Sequence, residues 1–146
     1  MGDYTGFVCK VKVKKEYYDL IEFIMEGNTT WKEAHDKFKY EWIKEYYVDN
    51  FRADFIPYGG YSYNRNWLNF YIEQYKTYFK DGIWFFGIDL KNYENTIEKF
   101  IKYVLKNIVE EVYFIKTKFE KDDFEEEHFI KKPKFNFTLE DHILHN

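Results

Sequence analysis

One cysteine, two prolines, two alanines, one serine and two arginines are spread over 146 residues, and each shortage excludes a class of chemistry. The lone Cys9 rules out an internal disulfide and a cysteine zinc site. It lies in an apolar alternation, which predicts a buried, inert thiol. The lone Ser62, between Tyr61 and Tyr63, lacks the Gly-x-Ser-x-Gly strand–turn–helix setting of a nucleophile. Gly59-Gly60 is not followed by Lys-Ser/Thr, so there is no phosphate loop, and no dinucleotide fingerprint occurs either. No basic-then-apolar leader and no run of 18 apolar residues appears, so a cytoplasmic protein with no membrane partner is expected.

Metal chemistry is equally thin. Glu125-x-x-His128 has the spacing of a di-iron bundle ligand pair, but such sites need two of these motifs on facing helices. His142-x-x-His145 stands at the end of the sequence, and His35 reads as a structural histidine beside an apolar stripe. Asp54 and Asp89 are the carboxylates that could face one another near strand ends, although sequence spacing does not place them at the separation glycoside chemistry requires. No cofactor, no metal and no enzymatic activity is expected.

What the chain has instead is rings: 15 Tyr, 16 Phe and 4 Trp. Each brings roughly 150–250 Å² of surface to bury, which predicts a folded globule with surplus Tyr at a groove or an interface. The charge is uneven. Residues 1–119 hold 18 Lys+Arg and 18 Asp+Glu, whereas residues 120–146 hold four Lys and eight acids. The net charge of −4 therefore belongs to the C-terminal part.

Phe7, Cys9, Val11 and Val13 alternate with Val8, Lys10, Lys12 and Lys14, a strand with one buried face. Tyr17, Leu20, Ile21 and Ile24 keep helical spacing up to Gly27-Asn28. Thr30 and Glu33 form a capping box for a second helix running to about Val48, with Trp31, Ala34, Phe38, Trp42 and Tyr46 facing inward. Residues 53–63 read as extended, with Pro57 confining them to an edge and Gly59-Gly60 as a hairpin turn or bulge. Leu68, Ile72, Tyr75 and Phe79 suggest a short helix within 64–81, although a strand also fits. Ile83 to Leu90 is apolar on both faces, a central strand. Asn92 caps a helix through Ile97, Phe100, Ile101, Val104, Leu105 and Ile108, and Val112 to Phe119 is a last strand. This order predicts an α+β fold of ferredoxin-like type, β-α-(α)-β-β-α-β. Its four-stranded antiparallel sheet carries helices on one face, with residues 1–119 as one domain and 120–146 as an acidic extension.

Arg52-Ala53-Asp54-Phe55-Ile56-Pro57-Tyr58-Gly59, Gly82-Ile83-Trp84-Phe85-Phe86, and Leu90-Lys91-Asn92-Tyr93 with Thr96-Ile97-Glu98 resemble stretches of a group of small bacterial proteins of the toxin-immunity type. The resemblance covers about residues 4–115 and names no catalytic residue. It implies a cytoplasmic protein that blocks a toxin by occupying it. The expected function is thus a non-enzymatic protein-binding module, its partner a basic toxin, with a homodimer as another use of the surplus rings. Glu120, Asp122, Asp123, Glu125, Glu126 and Glu127 would steer the partner, and Trp67, Tyr71 and Tyr75 would anchor it.

Two other readings compete. Tyr58, Tyr61, Tyr63, Trp67, Tyr71, Tyr75 and Tyr78 would line a small-molecule pocket. Lys10, Lys12, Lys116 and Lys118, with Phe85 and Phe114, would bind single-stranded RNA on an open sheet face. Nucleic acid is disfavoured: the body is neutral, arginine is scarce, and Gly82 to Phe86 does not match the RNA-recognition signature.

Overall fold

A computed structural model describes residues 4–58, 77–119 and 126–130. The chain is α+β: the described residues form a five-stranded, wholly antiparallel sheet, in spatial order β2 (Tyr78–Lys80), β3 (Ile83–Leu90), β1 (Thr5–Val13), β4 (Val109–Phe119), β5 (Glu126–Glu127), with four helices among them. β1 (Thr5–Val13) is the middle strand, paired with β3 (Ile83–Leu90) on one side and β4 (Val109–Phe119) on the other. Register follows the apolar alternation: Cys9 stands opposite Phe86 and Ile115, and Phe7 opposite Ile88 and Thr117. Phe7, Cys9, Val11, Val13, Trp84, Phe86, Ile88, Leu90 and Ile115 thus face one way, and the buried helix residues join them in a single core.

α1 (Tyr18–Ile24) buries Leu20, Ile21 and Ile24. α2 (Trp31–Phe38) starts at the expected capping box, in which the Glu33 N–H donates to Thr30 Oγ1 and the Thr30 N–H to Glu33 Oε1. The expected single helix to Val48 is two. Lys39 turns left-handed at φ 66° and ends α2, and α3 (Glu41–Val48) begins after extended Tyr40. The break has a packing reason. It lays the Phe38, Tyr40 and Trp42 rings in a stack, with ring planes within 3° and 16° of parallel, and Tyr17 packs edge-on against two of them. The last helix comprises α4 (Thr96–Lys99), a π-helical stretch Phe100–Leu105 and α5 (Lys106–Ile108). Phe100, at the head of the π stretch, meets Phe7, Trp31, Tyr46, Trp84 and Phe86 at ring-centroid distances of 5.6–6.1 Å.

Three further expectations change. Ala53–Phe55 is a 3-10 turn, not extended chain: the Ala53 carbonyl serves the buried Tyr46 hydroxyl rather than a neighbouring strand. Tyr78–Lys80 is the short strand β2, not the end of a helix; it pairs with β3 across an Asp81-Gly82 turn in which both residues have positive φ. The sheet has five strands rather than four, because Glu126–Glu127 form β5 on the free edge of β4. Gly59-Gly60, residues 61–76 and the turn expected at Thr138 to Asp141 lie outside the described residues.

Candidate functional site

Trp67, Tyr71, Tyr75, Glu120, Asp122, Asp123 and Glu125 lie outside the described residues. Glu126 and Glu127 are exposed on β5, opposite Thr117 and Lys116. There the His128 N–H donates to the Ile115 carbonyl at 2.7 Å, and the His128 ring lies 2.7 Å from Thr117 Oγ1. These two acids therefore belong to a fixed sheet edge. Cys9 is fully buried and burial pushes its thiol pKa up, so it is no nucleophile. Asp54 and Asp89 do not form a carboxylate pair. Asp54 accepts the Trp31 N–H at 2.8 Å in the helical layer, whereas Asp89 is buried in β3 on the opposite face of the sheet. Among the described residues no three His, Cys, Asp or Glu side chains converge as metal ligands.

The sheet face away from the helices carries Lys10, Phe85 and Phe114 in register, with Lys116 opposite Val8 and Lys118 opposite Gly6. It is not bare. Val8 is 1%, Phe85 4%, Asp89 0% and Lys118 9% exposed. Phe85 also stacks on Tyr78, 22° from parallel. Phe85 and Lys118 are thus withdrawn from the surface, while Lys10, Lys12, Phe114 and Lys116 stay partly exposed.

Sequence reasoning passed over the side-chain cluster that the structure assembles at the end of α3. Three hydrogen bonds, two of them buried, pin the loop that follows this helix. The Trp31 indole N–H donates to the Ile56 carbonyl at 2.9 Å. The Tyr46 hydroxyl donates to the Ala53 carbonyl at 2.8 Å, and Asp54 caps α2 as described. On its other side the Lys99 ammonium donates to the Asp49 carbonyl at 3.0 Å, and the Thr96 hydroxyl reaches Asn50 Oδ1 at 3.1 Å and the Tyr93 carbonyl at 2.9 Å. Asn92 holds the approach to the last helix: its Oδ1 accepts the Ile97 N–H at 2.7 Å and its Nδ2 donates to Glu98. The expected cap is real but displaced, because a 3-10 turn, Tyr93–Asn95, intervenes. Glu94 and Asn95 in that turn take left-handed φ of 55° and 61°.

Between the two pinned segments sits Arg52. Its guanidinium carbon lies 5.1 Å from the Phe51 ring centre, 5.1 Å from Phe55 and 4.7 Å from Tyr93, within cation–π range. Phe51 is 68% exposed, Val48 54% and Tyr93 40%. Asn50 Nδ2 and Arg52 Nε are buried without a hydrogen-bond partner among the described residues. A second surface feature is a cleft of about 270 Å³ at α1 and α2, lined by Asp19, Glu22, Phe23, Glu26, Lys37 and Phe38, with the Lys37 ammonium over the Phe23 ring. Its three carboxylates suit a basic surface rather than an apolar ligand.

Comparison with protein-family models, with curated proteins and with solved structures finds no match. Among the described residues no helix is long and apolar enough to cross a membrane.

Proposed function

We propose that this chain is a non-enzymatic protein-binding module, and in its specific form an immunity-type inhibitor that blocks a basic bacterial toxin by occupying it. The observation that carries the reading is the pair of exposed rings, Phe51 and Tyr93, around half-buried Arg52, on and beside a loop locked by buried hydrogen bonds. Aromatic rings and arginine dominate the energetics of protein interfaces, and a loop already fixed in the free protein loses little freedom on binding. The carboxylates of the α1–α2 cleft and the exposed Glu126 and Glu127 would steer a basic partner from a distance. In this reading the first four strands form a ferredoxin-like split βαβ, for which the order β2-β3-β1-β4 speaks, and the acidic extension adds an edge strand. The RNA alternative is weaker, because Phe85 and Lys118 are buried.

The test is native mass spectrometry of the tagged protein purified from its own host at low salt. A stoichiometric basic protein, lost at high salt, is the expected result. A bound small molecule or RNA in its place would contradict it. Replacing the six acids from Glu120 to Glu127 with Ser should then slow association and flatten its salt dependence, while an unchanged rate and slope would remove the acidic run from the account.

A further inference from the structure

We infer that Arg52 is a recognition site for a carboxylate on the partner protein, presented beside a large apolar side chain that covers Phe51. The inference rests on the protein-binding reading and adds the chemistry of the contact. The Arg52 side chain makes no ion pair and no hydrogen bond among the described residues. It is half-buried against three rings instead. Ring faces screen a cation from water and attract it, but they accept no in-plane hydrogen bond, so the donors of the guanidinium fork are left over. A carboxylate matches that fork in both charge and geometry, and the partly desolvated surroundings strengthen the bond.

Two observations make this a feature of the fold and not an accident of one side chain. The backbone after Arg52 is fixed by buried donors, Tyr46 to Ala53 and Trp31 to Ile56, and before it the Lys99 ammonium holds the Asp49 carbonyl. Tyr93, the ring closest to the guanidinium, is set by a turn with two successive left-handed residues, Glu94 and Asn95. Strained backbone of this kind persists only where the surroundings hold it, and it gathers at binding sites. Asp54, the nearest acid in sequence, has its carboxylate on the Trp31 N–H, and neither Asp54 nor Asp49 forms an ion pair with Arg52 among the described residues. Long-range attraction of a basic partner and local capture of one of its carboxylates are compatible, because steering depends on summed charge and capture on a single contact.

A random 12-residue peptide library displayed on phage and panned against the full chain tests this. Enriched peptides are synthesised and titrated against wild type, Arg52→Lys and Phe51→Ser. Arg52→Lys keeps the charge and lacks the planar fork, and Phe51→Ser alters an exposed ring, so neither should disturb folding, which unchanged melting checks. The expected result is enrichment of Asp or Glu next to a large apolar residue, with affinity lowered at least tenfold by Arg52→Lys. The chain has only two arginines, Arg52 and Arg65, so guanidinium Nη–H signals that move with wild type and are lost in Arg52→Lys report the contact. Peptides that bind wild type and both variants within twofold of each other would overturn the carboxylate site while leaving the protein-binding reading intact. Enrichment of no peptide, together with no protein partner on purification, would overturn both.

Discussion

Arg52 keeps its place through ring faces and backbone pinning, and the pinning depends on Tyr46. That hydroxyl is buried and hydrogen-bonded to Ala53, and burial, reinforced by Asp54, holds its pKa well above the usual tyrosine value. The folded protein therefore retains a proton that the unfolded chain gives up above about pH 10. The stability contributed by this group is complete below that pH and is lost as pH rises toward the folded-state value. Tyr46→Phe should be less stable at pH 7 by about 1–2 kcal/mol, because the Ala53 carbonyl loses its donor, and should show a shallower stability loss between pH 9 and about pH 11. Urea unfolding at several pH values checks both. An equally steep alkaline loss in the variant would move the effect to Cys9, Tyr17 or Tyr58, whose pKa values burial also raises. Little of this site was legible in the sequence. Arg52 is one of two arginines, with Phe at the preceding position and three residues on, which is a usable signal. The denser Tyr run at 58–78 outweighed it, and the contribution of Tyr93, 41 positions away in sequence, is a matter of tertiary packing.

Elements were easier to read where one local rule decided them. The Thr30–Glu33 capping box and the Ile83 to Leu90 strand stand as the sequence reading placed them. The hairpin at Asp81-Gly82 went unread, although Asp-Gly is a strong two-residue turn signal. Tyr and Phe on either side of it fit helix and strand alike, and that hid it. The break at Lys39 left no mark in periodicity, since Trp42 and Tyr46 continue the stripe; stacking of three rings produces it. Two predictions belong to these turns. Gly82 has φ +81°, and a Cβ there would collide with the Tyr18 hydroxyl, so Gly82→Ala should lower stability by more than about 1 kcal/mol. A melting temperature within a degree of wild type would mean that the hairpin yields. Glu94 is exposed at φ 55°, and glycine relieves left-handed strain there. Glu94→Gly should therefore raise stability by up to about 1 kcal/mol, seen as a melting shift of about 2–4 °C; a lower melting temperature would show that the turn is unstrained.

At the scale of the molecule, aromatic excess does two jobs. Inside, rings converge on Phe100, where the widened helical turn meets both sheet and helices. Phe100→Ala should lower stability by about 3–5 kcal/mol, a large share of the roughly 5–15 kcal/mol typical of a folded domain; a loss below about 1 kcal/mol would show that the neighbours collapse into the space. Outside, rings gather around Arg52, on a surface formed where the end of α3 meets the start of the last helix. The α+β class was legible because alternation in β1 and helical spacing in 97–108 are local patterns. The fifth strand was not, because a two-residue edge pairing formed by consecutive glutamates carries no apolar signature. If this protein grips another protein through the Arg52 surface, that surface is covered in the complex. Hydrogen exchange of the protein, alone and with the co-purified partner, tests it most directly. The account predicts that amides of 48–56 and 91–97 gain protection in the complex. Protection confined to other segments, with these two unchanged, would contradict it.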